Sequence, residues 1–326
     1  MQGSLSREDI EYISQAKHHP ALHTAYNEQI EQVAQWADLG STATVQQRNH
    51  TVDTLRDVAV CLESEDIFLA GNLMRMALRL RPDGPFLRKK IQEYEGYLAV
   101  AEHGQCTIDD GVLSFPPHPP VGLLRAFVNG SYEKKEAELV AKVIGRSDRV
   151  LELGAGVGFM GITVMQRCQP AYYVAYEANP ALIDYIQKNQ QLNGVSFDIH
   201  NAVLLEKEDQ CSFYVTPAFW GSSLLQPQQG EWQLVTVPSL NKHKVMADAL
   251  PTVLIVDIEG GEAAFFEGLD LSSVQKVIVE IHPQVLTDKE LISLYTTLIH
   301  SGFLLDFKAS GRQELYWYRP HTQEVA

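Results

Sequence analysis

The stretch RVLELGAGVGFMG, residues 149–161, joins an apolar run to a glycine-rich segment and then to a second apolar segment. The first run predicts a buried strand, and Gly154, Gly156 and Gly158 predict a turn into a helix. Glycine lets the backbone approach a ligand closely, and free N–H groups at a helix start bind polar ligand groups. Gly156, Gly158 and Gly161 also fit the dinucleotide pattern G-x-G-x-x-G, so the loop alone does not identify its ligand.

Two carboxylates near this loop distinguish the possible ligands. Glu152 lies two residues before Gly154, where it would repel a pyrophosphate and attract the ammonium group of a methionine moiety. Glu177 ends the next apolar run, nineteen residues after Gly158, the usual place for a carboxylate that accepts both ribose hydroxyls. Glu177 alone suits NAD or S-adenosylmethionine, whereas the two acids together favour S-adenosylmethionine. The alternatives are a nicotinamide cofactor and a glycine-rich turn without any cofactor.

Short apolar runs alternate with helix-length segments after residue 130. The runs are RVLELG, YYVAYEA, SFDIHNA, TVLIVDI and KVIVEIH. This alternation predicts an α/β domain with a parallel sheet covered on both faces. Residues 302–320 contain two further runs joined by a Ser-Gly turn, which predict a hairpin. A Rossmann-like parallel sheet closed by a C-terminal antiparallel strand is the arrangement of class I methyltransferases, which is an analogy of fold alone.

The first part of the chain, residues 1–104, has a helical pattern. In one stripe, apolar residues from Leu22 to Ala37 recur at three- and four-residue spacing before Gly40, and helices are also predicted at 51–62, 66–80 and 85–102. The junction AGNLMRMALRLRPDGP resembles the boundary between tetratricopeptide repeats. Only one such unit is visible, so we expect a small accessory domain with Trp36, Met74 and Met76 in its core, not a peptide-binding solenoid.

Residues 105–130 have a different composition, with four prolines in five positions around His118. We interpret them as an extended connector between the helical domain and a second domain, residues 131–326.

Composition limits the classes of partner. The net charge of the 326 residues is −15, and no Lys/Arg cluster stands out, so we expect neither a nucleic-acid partner nor an anionic membrane surface. No apolar run approaches the length of a membrane span, and the N-terminus has no signal-peptide pattern. The four cysteines show no CxxC spacing and indicate reduced thiols of a cytoplasmic protein.

Acids and a histidine follow two of the predicted strands. Asp257 comes directly after TVLIV, while Glu280 and His282 end KVIVEIH. Ligands of open α/β sheets bind at the carboxyl ends of the strands. Asp257 and His282 therefore suit an acid/base or acceptor-orienting role, with His282 as the natural base near neutral pH.

Two other interpretations of this cluster remain open. Asp257, Glu259 and His282 are also suitable ligands for Mg²⁺ or Mn²⁺. Alternatively, Glu259 binds backbone N–H groups of its turn, and Glu262 begins a helix and complements its dipole. For Glu262 we prefer the structural role.

The order and spacing of ELGAGVGFMG (152–161), YEANP (176–180), NAVL (201–204), DIEGGE (257–262) and EIHP (280–283) resemble those of FkbM-family methyltransferases. The resemblance covers about residues 130–320. Three departures are Glu152 in place of the usual Asp, Ala178 in place of a Pro, and TVPSLNKH in place of a common Thr-Leu-Asp segment.

The resemblance implies a role in binding S-adenosylmethionine for several residues. Glu152, Gly154, Ala155 and Gly156 would cradle the methionine part, in the loop that ends at Gly158; Glu177 would hold the ribose; Ala178 and Asn179 would flank the adenosine; Asn201 and Ala202 would edge the adenine. Tyr132 and Glu133 resemble a segment that closes over the cofactor, although they also suit a helix start capped by Ser131.

These observations predict an S-adenosylmethionine-dependent methyltransferase that is directed at the hydroxyl of a small-molecule or sugar-containing metabolite. Trp220, Ser222 and Ser223 lie in an insertion that would line the acceptor pocket or pack as a hairpin. The helical domain would serve as a homodimer or partner contact. The competing functions are an NAD(P)-dependent oxidoreductase and a non-catalytic scaffold with a partner-binding helical domain.

Overall fold

The computed structural model describes residues 6–22, 24–37, 44–109, 111–117, 119–216, 221–227 and 229–320. The predicted helix stop at Gly40, the histidine at 118 and the insertion residue Trp220 lie outside these residues, as does the side chain of Trp36. The chain divides into two compact units. The first is Met1–Gly104 with Pro117–Asn129, and the second is Gln105–Pro116 with Gly130–Ala326.

The described part of the first unit is helical. Its helices are α1 (Arg7–Lys17), α2 (Thr24–Ala37), α3 (Val45–Leu62), α4 (Ile67–Leu80), α5 (Pro85–His103) and α6 (Val121–Val128). The predicted helices correspond to α2–α5, with ends that differ by a few residues. Met74 and Met76 are buried in the core of this unit, as expected, because α4 places its apolar residues against the other helices.

The second unit is built from strands and helices in alternation. Its strands are β1 (Gln105–Ile108), β2 (Gly111–Ser114), β3 (Arg149–Leu153), β4 (Tyr172–Glu177), β5 (Asp198–Asn201), β6 (Val203–Leu205), β7 (Asp209–Val215), β8 (Gln233–Asn241), β9 (Val253–Val256), β10 (Lys276–Glu280), β11 (Leu304–Leu305) and β12 (Glu314–Tyr318). Its helices are α7 (Lys134–Val143), α8 (Phe159–Arg167), α9 (Ile183–Asn193), α10 (Lys242–Ala249), α11 (Glu262–Phe266) and α12 (Asp288–His300).

Seven of these strands form one sheet in the order β11-β12-β10-β9-β3-β4-β5. Strands β10, β9, β3, β4 and β5 are parallel, and β12 pairs antiparallel with both β10 and β11. All four residues of β9 are buried, so both faces of the sheet are covered there, which explains why this strand is apolar throughout. The predicted parallel sheet with a C-terminal antiparallel hairpin is confirmed.

The insertion after β5 forms a smaller sheet of order β6-β8-β7. β7 and β8 pair antiparallel over seven residue pairs, from Asp209↔Ser239 to Val215↔Gln233. The segment that joins them returns to β7 through a bridge between Tyr214 and Ser223. Of the two interpretations of this insertion, the hairpin is therefore present.

Residues 105–130 differ from the extended connector expected from the prolines. β1 and β2 form an antiparallel hairpin of the second unit, and α6 belongs to the first. The side chains of Asn189 and Asn193 on α9 hold β2: Asn189 accepts from the Ser114 N–H at 2.7 Å and donates to the Ser114 carbonyl at 2.7 Å. Asn193 makes the same pair of bonds with Val112, at 2.8 and 2.7 Å. These side-chain amides pair with backbone N–H and carbonyl groups along one edge of β2. The local sequence does not reveal this edge strand.

Among the helices that the structure describes, none is both long and apolar enough to cross a membrane.

A substitution at Gly154 tests how closely the strand ends approach one another. A Cβ at Gly154 would lie 1.7 Å from the Asp257 carbonyl oxygen, and the backbone there has a φ of +86°. We expect Gly154→Ala to lower the melting temperature strongly, because β3 and β9 must separate to make room. Gly194→Ala is the matched control, since Gly194 also has a positive φ, +62°, but no atom within 4 Å of the added Cβ. Its expected cost is only the roughly 1–2 kcal/mol of placing a Cβ in the left-handed conformation. Equal losses of melting temperature in the two variants would contradict this packing.

Candidate active site

A cavity opens at the carboxyl ends of β3, β4 and β9, within the second unit. Its empty space is about 940 Å³ when the solvent at its mouth is included. It is lined by Tyr132, Glu133, Leu153, Gly154, Gly156, Tyr176, Glu177, Ala178, Ala202, Val203, Leu204, Leu205, Phe213, Ser222, Leu224, Asp257, Ile258, Glu259, Gly261, Ala264 and Phe265. Four of these described lining residues are acids, and none is Lys or Arg.

The glycine loop forms one wall of this cavity. Gly154, Gly156 and Gly158 all have positive φ, at 86°, 55° and 83°, so the turn between β3 and α8 needs residues without a Cβ. Gly154 and Gly156 line the cavity, whereas Ala155 is buried outside the lining and Gly158 precedes the first residue of α8. The Gly154 N–H donates to the Tyr176 carbonyl at 2.9 Å, which ties the loop to the end of β4.

Glu177 lies at the end of β4, where the sequence placed a ribose-binding carboxylate. It lines the cavity, and its two oxygens accept from the backbone N–H groups of Gly156, at 2.8 Å, and Asn179, at 2.6 Å. Burial raises the pKa of Glu177 to about 7, against the lowering effect of these amides. The amides hold the carboxylate beside the loop, so it is pre-positioned for a ligand with hydroxyl groups.

The wall beyond Glu177 is mainly apolar. Ala178 and Ala202 line the cavity, and Asn201 lies behind them, where its amide donates to the carbonyls of Glu177 and Ala178 at 2.8 and 3.0 Å. Asn179 is buried, and its side chain accepts from the Ala181 N–H at the start of a short 3₁₀ helix. Val203, Leu204, Leu205 and Phe213 complete this wall. These four residues are not among the sites predicted from the sequence, because their contribution depends on how the insertion folds back.

Glu152 does not line the cavity. Its side chain is buried and accepts from the Tyr173 hydroxyl at 2.9 Å. Burial raises the pKa of Glu152 to about 8, so this carboxyl is mainly protonated at neutral pH. The structure therefore places Glu152 beside the loop but directs its carboxyl to β4 instead of to the cavity.

Tyr132 and Glu133 both line the cavity. Glu133 precedes α7 with a φ of 44°, and its side chain makes no capping hydrogen bond. The alternative in which Ser131 caps this helix is wrong, because α7 begins three residues later. The Tyr132 ring packs edge-on against the Phe159 ring, with 5.5 Å between the ring centroids. Burial raises the pKa of Glu133 to about 7.

The acid–histidine cluster follows β9 and β10, with Asp257 beside Gly154 of the glycine loop. β9 and β10 are parallel neighbours, and this pairing brings Asp257 and Glu259 next to His282. The His282 Nε2 lies 3.3 Å from Glu259 Oε2 and 3.7 Å from Asp257 Oδ1. Asp257 and Glu259 line the cavity, while His282 is buried behind them. Glu280 is partly buried and does not line the cavity, although its charge acts on Asp257.

Glu262 is more than a helix-start residue. It begins α11, as expected, but its fully buried carboxylate also lies 2.8 Å from His282 Nδ1 and accepts from the Gly260 N–H at 3.1 Å. The sequence offered only a weak signal for this contact, namely a carboxylate and a histidine that each follow a neighbouring strand.

The charges of the cluster change the role expected of His282. Burial lowers the pKa of His282, but hydrogen bonds to Glu259 and Glu262 outweigh it and raise this pKa to about 11. His282 is therefore protonated at neutral pH in this arrangement and does not act as the free base that the sequence suggested. Burial, with the charges of Glu280 and Glu259, raises the pKa of Asp257 well above its usual range.

The insertion contributes to the same region. Ser222 lines the cavity, and the Ser223 hydroxyl donates to the Glu259 carbonyl at 2.9 Å. This bond joins the β7–β8 connection to the turn that carries Glu259, which has a φ of +51°.

The family model described as the TRM5/TYW2 methyltransferase domain matches residues 127–211. The match includes the glycine loop, Glu177 and Asn201 but ends before Asp257. The second unit is an S-adenosylmethionine-dependent methyltransferase domain. Its sheet has the class I, Rossmann-like arrangement that the sequence predicted, and the predicted cofactor, S-adenosylmethionine, is confirmed.

Several solved structures are similar to this methyltransferase chain at low identity. The ribosomal protein L11 methylase of Lactobacillus delbrueckii subsp. bulgaricus is 15% identical, with 59% of this chain and 81% of that chain covered and a TM-score of 0.36. TYW2 of M. jannaschii, in complex with AdoMet, is 14% identical, with 58% and 76% covered and a TM-score of 0.31. The Pyrococcus abyssi tRNA (uracil-54, C5)-methyltransferase, in complex with S-adenosyl-L-homocysteine, is 12% identical, with 67% and 43% covered and a TM-score of 0.37. Among curated proteins, none matches this chain.

The buried carboxyl of Glu152 predicts a pH-dependent stability. Because its pKa rises from 4.5 to about 8 on folding, its contribution is complete below pH 4.5 and is lost as the pH rises through 8. Glu152→Gln keeps an acceptor for Tyr173 but cannot ionise. We expect the melting temperature of the variant to fall less than that of the wild type between pH 6 and pH 9. Glu138→Gln, at an exposed position of α7, is the control and should follow the wild type.

Proposed function

We propose that this protein transfers a methyl group from S-adenosylmethionine to a hydroxyl oxygen of a small-molecule or sugar-containing metabolite. The observation that carries the proposal is the position of Asp257 and Glu259 on the wall of the same cavity as Gly156 and Glu177. A methyl donor held at the glycine loop would thus have carboxylates within the cavity that receives its acceptor.

The chemistry needs alignment and a place for one proton. The acceptor oxygen bonds to the methyl carbon, the carbon–sulfur bond breaks with its electron pair on sulfur, and the hydroxyl proton leaves. Alignment supplies much of the rate, and a carboxylate within reach of the proton adds about 10²–10⁴-fold. Because His282 is protonated, we assign proton acceptance to the ionised form of Asp257, which lines the cavity with a side chain that is 39% exposed. Its raised pKa makes this carboxylate a stronger base than an ordinary aspartate.

The charge of the cavity supports a metabolite over a polyanion. Its described lining carries Glu133, Glu177, Asp257 and Glu259 without a Lys or Arg. A nucleic-acid backbone gains most of its affinity from basic side chains. Several similar structures are named as tRNA methyltransferases, so tRNA is kept as the second acceptor class in the experiment below.

Three further features belong to this proposal. The residues of the cluster lie in DIEGGE and EIHP, the motifs that resemble the FkbM family. The free cysteines Cys61, Cys106, Cys168 and Cys211 suit a cytoplasmic location. The helical first unit, with its tetratricopeptide-like junction, would provide a homodimer or partner contact.

Calorimetric titration tests the cofactor assignment against the oxidoreductase alternative. We expect S-adenosylhomocysteine to bind and NADH not to bind. Glu177→Gln should weaken S-adenosylhomocysteine roughly 10- to 150-fold, since hydrogen bonds to a charged group are worth about 1.5–3 kcal/mol. Binding of NADH without binding of S-adenosylhomocysteine would overturn the assignment.

Transfer of a labelled methyl group tests the acceptor class. We expect mass spectrometry to find the label in small metabolites of a cell extract and not in tRNA incubated separately. Asp257→Asn should slow transfer by about 10²–10⁴-fold while the affinity for S-adenosylhomocysteine stays within a few-fold. Asp184→Asn, at an exposed position of α9, is the matched control and should keep the wild-type transfer rate and the wild-type affinity for S-adenosylhomocysteine. Label in tRNA alone would contradict the proposal, and no transfer to either class would favour the scaffold alternative.

A further inference from the structure

We propose that Asp257, Glu259 and His282 bind a divalent cation of the Mg²⁺/Mn²⁺ type at the wall of the cofactor cavity. The inference deepens the proposed function and rests on it, because it assigns a cation to the acceptor side of the same cavity.

The ligand atoms are already gathered. One atom from each of the three residues lies within 4.8 Å of the other two. The His282 Nε2 is 3.3 Å from Glu259 Oε2 and 3.7 Å from Asp257 Oδ1. Ligands at about 2.1 Å from a common cation lie roughly 3–4 Å apart. The three atoms therefore need only small movements to share one ion.

Glu262 orients the histidine for this role. Its buried carboxylate lies 2.8 Å from His282 Nδ1, the ring nitrogen that faces away from Asp257 and Glu259. Metal-binding histidines commonly donate their second N–H to a carboxylate, which fixes the ring and directs the other nitrogen to the ion. In the cation-bound form the imidazole would be neutral: its Nδ1–H would donate to Glu262, and Nε2 would have no hydrogen and would face the ion with its lone pair.

Asp257 provides a second observation. Its Oδ1 atom, which lies 3.7 Å from His282 Nε2, is buried and has no hydrogen-bond partner among the described residues. A buried carboxylate oxygen without a partner is costly, and such groups in native proteins need an explanation. A cation between Oδ1, Glu259 and His282 would satisfy this oxygen and leave the exposed part of the Asp257 side chain towards the cavity.

The donor set indicates the kind of ion. Two carboxylates and one imidazole form an oxygen-rich site, and the three remaining positions of an octahedral ion would take water or acceptor oxygens. A cation at this point would lower the pKa of a bound hydroxyl.

Binding of Mn²⁺ alone tests the site without any turnover. The binding is measured by the loss of the electron paramagnetic resonance signal of the free ion. We expect the wild type to bind one Mn²⁺ and Asp257→Asn or Glu259→Gln to weaken it at least 10-fold. Glu262→Gln removes no ligand and should weaken it about 10- to 100-fold. Glu267→Gln, at an exposed carboxylate that follows α11, is the control and should match the wild type. Titration of the same variants with S-adenosylhomocysteine verifies that the cavity is intact. No Mn²⁺ binding by the wild type, or equal binding by all variants, would overturn the inference.

The failure of this inference is distinguishable from the failure of the proposed function. If methyl transfer continues at the full rate in excess chelator, the proposed cation site is refuted and the proposed methyltransferase function is upheld. Binding of Mn²⁺ that depends on Asp257, without methyl transfer to any acceptor, would uphold the cation site and refute the proposed function.

Discussion

The close approach of Gly154 to the Asp257 carbonyl is the constraint on which the site depends. The Asp257 N–H donates to the Leu153 carbonyl at 3.0 Å, and the Gly154 N–H donates to the Tyr176 carbonyl at 2.9 Å, so the ends of β3, β4 and β9 are joined. A side chain at Gly154 would separate them. Because these strands are parallel, their ends place the glycine loop, Glu177 and the acidic turn around one cavity.

The second constraint is the burial of several carboxyls in one region. Each needs a partner, since an isolated charge is costly away from water. Backbone amides donate to Glu177, and the Tyr173 hydroxyl donates to Glu152. His282 contacts both Glu259 and Glu262. These pairings fix side-chain positions before any ligand binds. They also explain why the imidazole holds its proton: it is the one cationic group in direct contact with the described acids of the cluster.

Much of the second unit could be predicted because its signals are local. The strands that end at Glu177, Val256 and Glu280 are apolar runs that reach polar residues at or just after their last residue, and their shared edge follows from the parallel topology. Side-chain direction was harder. Leu153 lines the cavity, and the alternation of a strand turns Glu152 to the other face, towards Tyr173. Contacts between distant segments, such as Asn189 with β2 and Glu262 with His282, have no local sequence pattern. In residues 105–130, the proline-rich composition indicated an extended connector instead of the strands β1 and β2.

The most direct test of a shared cavity for cofactor and cluster is a crystal structure of the protein grown with S-adenosylhomocysteine and MnCl₂, with anomalous data collected at the manganese edge. The account predicts the ribose at Glu177, the adenine beside Ala202, and an anomalous peak between Asp257, Glu259 and His282. S-adenosylhomocysteine bound away from Gly154 and Glu177, or facing a wall other than that of Asp257, would contradict it.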